Sequence, residues 1–396
     1  MEIRIGFDAW GSIARTHAVG LRALPVLFPD LPFRPVLHAV ATRNPAKNEA
    51  WVRQAGFGGV VGSALDLVND PAVDAIDICT PNALHTETAI AAWRAGKAIY
   101  CEKPLAEDLA GAMRMAEAYR AAAGAPGAGV PTGASDPVAA GGNRAAASQV
   151  AFTLRFWPAV ARAKDMLADG RLGRILSFRG RMVHGGYLDP NRAYSWRLDR
   201  ALAGGGALVD LGIHLVDLVH FLLGPMADLE ARMRTFVPER PAPDRPGGRA
   251  RVEVDDWAEL TCTLKSGAVG TIEATRGGDG QEETVLEIFG SEGSLRISSN
   301  VGNIFPQWFE RPTGTMHERN GEKPGPYLRA LLTVLPPARL TMGSFVDAHT
   351  ASLHWWLRRI AEPAWAEGQP PLAATIADGL AAQEVLEAAY AAAKWG

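Results

Sequence analysis

Short apolar segments alternate with helix-like segments over the first third of the chain. The strand-like runs, each next to turn-forming residues, occupy positions 3–7, 36–41, 73–79 and 98–101. Helix-like segments follow them at 12–23, 46–55, 83–95 and 109–123. Strands separated by helices join through right-handed crossovers, which build a parallel, doubly wound sheet. We therefore predict an α/β Rossmann domain over residues 1–123, a fold suited to dinucleotides.

The pattern changes after a Gly-, Ala- and Pro-rich segment at 124–147, interpreted as an exposed, flexible insertion at the domain junction. Strand-like runs then succeed one another at 175–183, 257–264, 268–275, 284–289 and 294–297. Their short turns predict a large, mostly antiparallel open sheet with a helix on one face. Segments 237–248 and 311–326 look like loops, and 373–394 like the last helix. Residues 148–396 are therefore expected to form a second, α+β domain.

Composition narrows the class of protein. A chain of 396 residues favours two domains over one core. Its net charge of −3 and pI near 6.3 give no electrostatic reason to expect nucleic acid or an anionic membrane as a partner. Three scattered cysteines, Cys79, Cys101 and Cys262, fit a reducing compartment. The sequence shows neither a secretory signal nor an apolar run that approaches a membrane span, so we expect a cytoplasmic protein.

The first predicted strand enters the first predicted helix through a partly degenerate turn. A dinucleotide fold needs small residues there, because main-chain N–H groups and the helix dipole hold the pyrophosphate. Only Ala9, Gly11 and Ala14 keep the required spacing, with alanine where the tight turn prefers glycine. The candidate cofactor-binding residues of the turn are Ala9, Trp10, Gly11, Ser12, Ile13 and Ala14.

The end of the second predicted strand bears on the type of cofactor. Binders of NAD usually carry a carboxylate there, which accepts hydrogen bonds from the ribose and repels a 2′-phosphate. This chain has Thr42 and Arg43 instead, and Arg43 could pair with a phosphate or remain a surface side chain. The pattern favours NADP and leaves NAD open.

Polar residues follow one another at helical spacing in an apolar segment after Gly204, Gly205 and Gly206. Asp210, His214 and Asp217 would share one face of this helix. Ionisable groups on a buried helix cost free energy unless they are paired or used. A carboxylate one turn before an imidazole suits proton transfer, although a satisfied core histidine would show the same spacing.

Two further motifs follow predicted strands: Thr80, Pro81, Asn82 and His85 after one, and Glu102, Lys103 and Pro104 after the next. Together with the glycine run and the Asp210/His214 helix, they give the chain a pattern that resembles the Gfo/Idh/MocA oxidoreductases. The resemblance covers nearly the whole chain outside 124–147.

The resemblance implies roles for the matching residues. Lys103, aimed by a cis peptide bond to Pro104, would reach the substrate hydroxyl and the nicotinamide. His214 would accept the hydroxyl proton, and Asp210 would orient the substrate or the imidazole. The residues that would line the cofactor channel are Thr80, Pro81, Asn82, His85 and Glu102. Asn82 and His85 could instead simply cap the helix that follows them.

Aromatic and cationic residues could complete the substrate site. Arg155, Tyr187, Trp196 and Arg197 offer stacking surfaces and bidentate donors that suit a polyhydroxylated ring. Trp196 could equally be core packing. None of these residues identifies a particular sugar or cyclitol.

The function predicted from these features is hydride transfer between NADP or NAD and a hydroxyl carbon of a sugar, sugar derivative or inositol. A glycosidase that uses bound NAD transiently is an alternative, as is a cofactor-binding regulator without activity. A metal site is not expected, because the histidines form no close ligand cluster. By analogy with the family, we expect the open sheet face to form a homodimer or homotetramer.

Overall fold

The computed structural model describes residues 1–124, 143–242, 247–299, 306–310, 315–317 and 323–396. The chain forms two compact units. Unit 1 consists of Met1–Ala106, Ala110–Phe156 and Arg329–Leu380. Unit 2 consists of Glu107–Leu109, Trp157–Leu328 and Ala381–Gly396. This division differs from the predicted domains because a long C-terminal segment folds into unit 1, where its helices cover the first sheet.

A six-stranded parallel sheet forms the centre of unit 1 and confirms the predicted doubly wound fold. Its order is β3-β2-β1-β4-β5-β6. The sequence pattern located four of the six strands, and it missed the short β3 and β6. The strands are β1 Glu2–Asp8, β2 Arg34–Ala41, β3 Gly59–Val61, β4 Ala75–Ile78, β5 Ala98–Cys101 and β6 Gln149–Val150.

Amphipathic helices cover the sheet of unit 1. Leu21 of the first helix and Trp356 of the tenth are both fully buried in one apolar cluster with Phe7. This packing excludes water from one face of the sheet, which stabilises the edge where the strands end. The helices of the chain are α1 Ser12–Leu27, α2 Pro45–Gln54, α3 Ala64–Asn69, α4 His85–Arg94, α5 Leu109–Ala123, α6 Pro158–Ala168, α7 Arg200–Ala203, α8 Ile213–Leu223, α9 Pro326–Leu332, α10 Ser344–Ala361, α11 Pro363–Glu367 and α12 Ile376–Ala392.

Unit 2 contains a nine-stranded, mostly antiparallel sheet, as predicted. Its order is β16-β15-β14-β13-β7-β12-β11-β8-β17, and the pairs β7–β12 and β8–β17 are parallel. The sequence pattern missed β8, β15, β16 and β17 of this sheet. Two short strands, β9 and β10, form a separate ladder. The strands are β7 Ile175–Val183, β8 Met226–Arg234, β9 Glu239–Pro241, β10 Arg249–Arg251, β11 Trp257–Leu264, β12 Val269–Thr275, β13 Glu283–Gly290, β14 Gly293–Ser298, β15 Gln307–Glu310, β16 Thr315–His317 and β17 Lys394–Trp395.

The apolar helix α8 packs on one face of this sheet, as the sequence predicts. A Cβ added at Gly180 of β7 would lie 3.4 Å from the side chain of Leu215 of α8, so the helix and the strand are in close contact. The stretch Arg200–Leu223 is long and apolar enough to count as a possible membrane span, contrary to the expectation that no run approaches that length. However, 72% of the apolar 18-residue stretch of this helix is buried inside the protein, as in the core helix of a soluble protein.

Three predicted irregular segments contain regular structure. Residues 125–142 of the predicted insertion lie outside the described residues, but Arg144–Ala147 forms a 3-10 turn whose three alanines are buried. This end of the segment is therefore part of the core of unit 1 and not an exposed insertion. The predicted loop at 237–248 includes β9, which pairs with β10 and ends at Pro241, a position where the missing N–H of proline is tolerated. The predicted loop at 311–326 includes β16 and the first residue of α9, and most of its other residues lie outside the described ones.

Candidate functional site

The turn between β1 and α1 has the conformation of a dinucleotide-binding loop. Ala9 has a φ of 151°, the only positive φ of a non-glycine residue among those described. This is the position where the fingerprint carries glycine, because L side chains rarely adopt such a φ. The sequence therefore keeps the loop geometry at a conformational cost. A Cβ at Gly11 would meet no atom within 4 Å, so the loop has open space beside it.

The first turn of α1 is suited to an anion. Gly11 is the N-cap residue and provides no side-chain acceptor, and no acidic residue lies in the first turn. The N–H groups of a helix start that lacks a side-chain cap point outward with the positive end of the helix dipole. This arrangement fits the pyrophosphate of NAD or NADP, with Ser12, Ile13 and Ala14 contributing main-chain donors.

The end of β2 presents Thr42 and Arg43 beside that turn. Thr42 Oγ1 accepts a hydrogen bond of 2.9 Å from Asn48 Nδ2, and the Arg43 side chain is exposed. Asn44 caps α2 by accepting from the main chain of Lys47. Residues 42–44 therefore contain no carboxylate, as the sequence already indicated. The side chain that caps α2 is the amide of Asn44.

The ends of β4 and β5 carry the Thr80–Pro81–Asn82 and Glu102–Lys103–Pro104 motifs. The peptide bond between Lys103 and Pro104 is cis, as the family resemblance implied. Lys103 and Thr80 are half-buried, whereas Asn82 and Glu102 are buried.

His85 joins these two motifs instead of lining a channel. Its ring is fully buried, with Nδ1 3.0 Å from the Pro104 carbonyl oxygen and Nε2 3.1 Å from the Thr80 carbonyl oxygen. Burial lowers the pKa of His85, although the two carbonyl groups oppose this effect. Both ring nitrogens face main-chain oxygen, so His85 holds the two strand ends and offers no second nitrogen to a cofactor. It also forms no side-chain cap for α4.

In unit 2, the predicted helix with Asp210 and His214 begins with a π-helical turn at Leu208–Gly212. A π-turn is wider than an α-turn, so the α-helical spacing is not kept across it. Asp210 and His214 are both half-buried, but Asp217 is 2% exposed and lies in the core. His214 and Asp217 keep the i, i+3 spacing of one α-helical face within α8, whereas the π-turn shifts Asp210 out of that register. Single π-turns within helices occur frequently at functional sites.

A buried carboxylate fixes the start of this helix. Asp255 accepts hydrogen bonds from the N–H groups of Gly206 (2.9 Å) and Leu208 (2.8 Å), and from the Tyr390 hydroxyl. A Cβ at Gly206 would lie 1.8 Å from the Asp255 carbonyl oxygen, so only glycine allows the two chain segments to approach so closely. Burial raises the pKa of Tyr390 well above its usual value, which keeps its hydroxyl a donor. Asp210 is thus held on a rigid helix.

Arg276, which follows β12, binds Asp210. Its Nη2 lies 3.0 Å from Asp210 Oδ2, and the Arg276 side chain is 1% exposed against 29% for Asp210. Burial lowers the pKa of Arg276, but the negative charges around it, those of Asp210 above all, outweigh this effect and raise the pKa above its usual value. Asp210 is therefore a carboxylate with a permanent cationic partner. Sequence reasoning missed Arg276, Asp255 and Tyr390.

Three of the four predicted substrate residues lie near this pair in unit 2. The Arg276 guanidinium lies 4.7 Å from the centre of the Tyr187 ring, and that of Arg192 lies 3.9 Å from it. Arg197 Nε is 4.0 Å from Asp210 Oδ2, and its guanidinium lies over the ring of half-buried Trp196. These residues therefore form one cluster around Asp210.

Arg155, the fourth predicted substrate residue, lies in unit 1. Its side chain is 3% exposed and pairs with Asp378, with nitrogen–oxygen distances of 3.2 and 3.4 Å. Although burial opposes it, this pairing holds the pKa of Asp378 below its usual value. The guanidinium thus takes part in an ion pair within unit 1.

Both halves of the chain match families of known proteins. Residues 6–125 match the oxidoreductase family with an NAD-binding Rossmann fold, and residues 160–296 match the GFO/IDH/MocA C-terminal domain. Levoglucosan dehydrogenase of Pseudarthrobacter phenanthrenivorans is 33% identical over 306 residues, covering 74% of this chain and 73% of that protein. The 1,5-anhydro-D-fructose reductase of Ensifer adhaerens is 33% identical over 279 residues, 70% of each chain.

A solved structure resembles nearly the entire chain. Levoglucosan dehydrogenase in complex with NADH superimposes with a TM-score of 0.80 at 30% identity, and the match covers 99% of this chain and 97% of that one. These matches confirm the predicted fold, the family resemblance and the NAD-binding Rossmann domain.

Proposed function

The chain belongs to the Gfo/Idh/MocA oxidoreductase family, and from this premise we propose that it transfers hydride between a nicotinamide dinucleotide and a hydroxyl carbon of a sugar, sugar derivative or inositol. The observation that carries the proposal is the fit of the β1–α1 turn to a pyrophosphate, in a chain that retains Lys103, Asp210 and His214. When bound, the cofactor supplies the hydride acceptor or donor at the nicotinamide ring.

The proposed catalytic residues are Lys103, Asp210 and His214. Oxidation of an alcohol requires a base for the hydroxyl proton, and His214 takes this role in the proposal. Lys103 stabilises the negative charge that develops on the oxygen. Asp210 remains a carboxylate beside Arg276 and accepts a hydrogen bond from a substrate hydroxyl, which orients the sugar ring. Arg197, Trp196 and Tyr187 complete the substrate side of the site.

The relatives suggest which sugars to test first. Levoglucosan is an intramolecular anhydride of glucose, and the second relative is a 1,5-anhydro-D-fructose reductase. Both compounds lack a free anomeric hydroxyl, so we propose anhydro sugars as the first class of substrate. A myo-inositol 2-dehydrogenase of Thermotoga maritima, 25% identical over 328 residues, makes cyclitols the second class.

The decisive experiment screens anhydro sugars, aldoses and inositols with NAD and with NADP, and follows the absorbance of the reduced cofactor. Turnover of at least one compound supports the dehydrogenase. Release of free sugar from a glycoside without net cofactor reduction would instead support the NAD-dependent glycosidase. Cofactor binding without turnover of any compound would favour the regulator.

The remaining proposals concern cofactor choice, assembly and location. The side chains at 42–44 favour NADP over NAD, because they present Arg43 and no carboxylate. A homodimer or homotetramer would use the sheet face of unit 2, where arginines such as Arg181 are exposed and pair with Glu283. The three cysteines are free and buried, which suits a reducing cytoplasm.

A further inference from the structure

A buried ionic cluster lies in unit 1 directly before Lys103. His17 of α1 is 0% exposed, with Nδ1 2.9 Å from Asp77 Oδ2 of β4 and Nε2 3.3 Å from Glu102 Oε1. The side chains of Asp77 and Glu102 are 0% and 11% exposed. We call His17, Asp77 and Glu102 the histidine clamp.

The geometry of the clamp determines the charge of its ring. A neutral imidazole has one N–H, so it would direct a lone pair at one of the two carboxylates. An imidazolium donates a hydrogen bond to Asp77, forms an ion pair with Glu102 and offsets the mutual repulsion of the two carboxylates. Burial opposes the charge on His17, but Asp77 and Glu102 outweigh it and raise the pKa of His17 to about 10. In turn, although burial opposes the effect, His17 lowers the pKa of Glu102 to about 2.

The Cys79 thiol and the His349 ring, which pack around the clamp, are both uncharged at neutral pH. The Cys79 thiol donates to Asp77 Oδ1 at 3.2 Å, and burial raises the pKa of that thiol well above its usual value. The His349 ring of α10 lies 5.4 Å from that of His17. Burial and the His17 charge lower the pKa of His349 to about 4, so it stays neutral.

Two more titratable side chains lie close by. The Tyr100 ring of β5 contacts the His17 ring edge-on, and burial raises the pKa of Tyr100 well above its usual value. Asp8 of β1 accepts a hydrogen bond from Thr88, and burial raises the pKa of Asp8 to about 6. At neutral pH the imidazolium of His17 is therefore the only cation among these groups, and Lys103 is a further cation that acts on Glu102 and His349.

The clamp adjoins Lys103 through the main chain. The N–H of Glu102 donates to the Ile78 carbonyl at 3.0 Å, which is the last main-chain bond of β5 to its neighbour β4. The Pro104 carbonyl faces His85 Nδ1 at 3.0 Å. Lys103 therefore lies between two anchors, the Glu102 side chain bound by His17 on one side and the Pro104 carbonyl bound by His85 on the other.

We propose that His17, clamped as an imidazolium between Asp77 and Glu102, is a positioning residue that fixes the direction in which the chain presents Lys103. The inference rests on the proposed function in taking Lys103 as the catalytic amine. Loss of the clamp releases the Glu102 side chain, and the Lys103 amine then samples more orientations. A misplacement of about 1 Å is enough to reduce a rate about 100-fold.

The test compares His17→Gln and Glu102→Gln with His354→Gln. His354 is a matched control, since it is 2% exposed in α10 and its Nδ1 lies 3.3 Å from the Val334 carbonyl oxygen, away from the clamp. At a temperature where all variants are folded, we expect the two clamp variants to lose about tenfold or more in kcat, and His17→Gln to show little change in the KM for the cofactor. His354→Gln should lose thermal stability and keep its kcat. Equal kcat in all three variants would overturn the proposal.

Two measurements separate this proposal from the proposed function. Histidine side-chain ¹⁵N NMR should show one ring, absent in His17→Gln, with two protonated nitrogens up to about pH 9. Acylation of Lys103 by an amine reagent, followed by mass spectrometry, should change in rate in both clamp variants and not in His354→Gln. Both readouts work without a substrate, so they remain informative if no sugar turns over.

A metal is the competing occupant of the cluster. Ligand atoms of His17, Glu102 and His349 lie within 4.8 Å of one another, so the expectation that the histidines form no close ligand cluster is wrong. One equivalent of zinc or another divalent metal in the purified protein, lost in His17→Gln, would overturn the proposal, because His17 Nε2 would then carry a lone pair and not a proton.

Discussion

Arg276 Nη2 donates a hydrogen bond of 3.0 Å to Asp210 Oδ2. The same guanidinium lies against the ring of Tyr187. The pair connects the end of β12 with the π-turn that carries Asp210. It sets both the charge and the direction of a carboxylate that the proposed mechanism requires. The two residues are 66 positions apart in the sequence, so local patterns could not reveal their contact.

Replacing Arg276 with methionine should therefore impair both folding stability and turnover. The change leaves Asp210 without its buried cationic partner, which should cost about 1–3 kcal/mol in the free energy of unfolding. We also expect kcat/KM to fall at least about tenfold, because Asp210 loses its fixed orientation. Urea unfolding and steady-state kinetics measure the two effects. Arg192→Met is the matched control, as Arg192 contacts the same tyrosine from an exposed position. Equal losses in the two variants would remove Arg276 from the mechanism.

Lys103→Ala and His214→Ala should each abolish most turnover without unfolding the protein. Loss of a general base or of charge stabilisation typically reduces kcat by about 10²–10⁴-fold. Both side chains are half-buried and not core residues, so circular dichroism and cofactor binding should stay close to those of the parent protein. Normal turnover in either variant would eliminate that residue from the proposed chemistry.

Thr42→Asp should shift the preference of the enzyme from NADP toward NAD. The new carboxylate would repel a 2′-phosphate and accept from a ribose hydroxyl, which should change the ratio of the two dissociation constants about tenfold or more. Thr42→Ser keeps the acceptor that Asn48 uses and is the control. Fluorescence titration with both reduced cofactors provides the measurement. An unchanged ratio would contradict the argument from the end of β2.

Ala9→Gly should stabilise the protein by relieving backbone strain, although it adds no new contact. Ala9 occupies a φ of 151°, and such conformations cost a non-glycine residue about 1–3 kcal/mol. Glycine removes this cost and loses part of the gain to its larger unfolded-state entropy, so we expect a net increase of about 1 kcal/mol in the free energy of unfolding. Ala18→Gly, in the middle of α1, should have the opposite sign. A loss of stability in Ala9→Gly would show that the loop does not strain its alanine.

The sequence predicted the architecture of both sheets and many of their strands. Strands such as β5 and β7 lie where predicted because apolar runs between turn residues identify them locally. Asp255, Tyr390 and Arg276 act on the Asp210 helix from distant parts of the chain, and only the folded arrangement brings them together. The π-turn also escaped prediction, since its residues satisfy an α-helical pattern equally well.

Stability should depend on pH through His17 in a specific window. Its pKa is about 10 in the folded protein, against an ordinary value of 6.5 that applies to the unfolded chain. A raised folded pKa means that the clamp contributes fully below about pH 6.5. Its contribution then declines as the pH rises and disappears above about pH 10.

The comparison of parent protein and His17→Gln isolates this contribution. Buried groups that both proteins share, such as Tyr100 and Cys101, also weaken the folded state at high pH, because burial raises the pKa of each well above its usual value. Their effects cancel in the difference between the two free energies of unfolding. We expect that difference, measured by urea unfolding from pH 7 to pH 10, to shrink steadily as the pH rises. A difference that stays constant to pH 10 would mean that His17 does not carry the extra proton in the folded state.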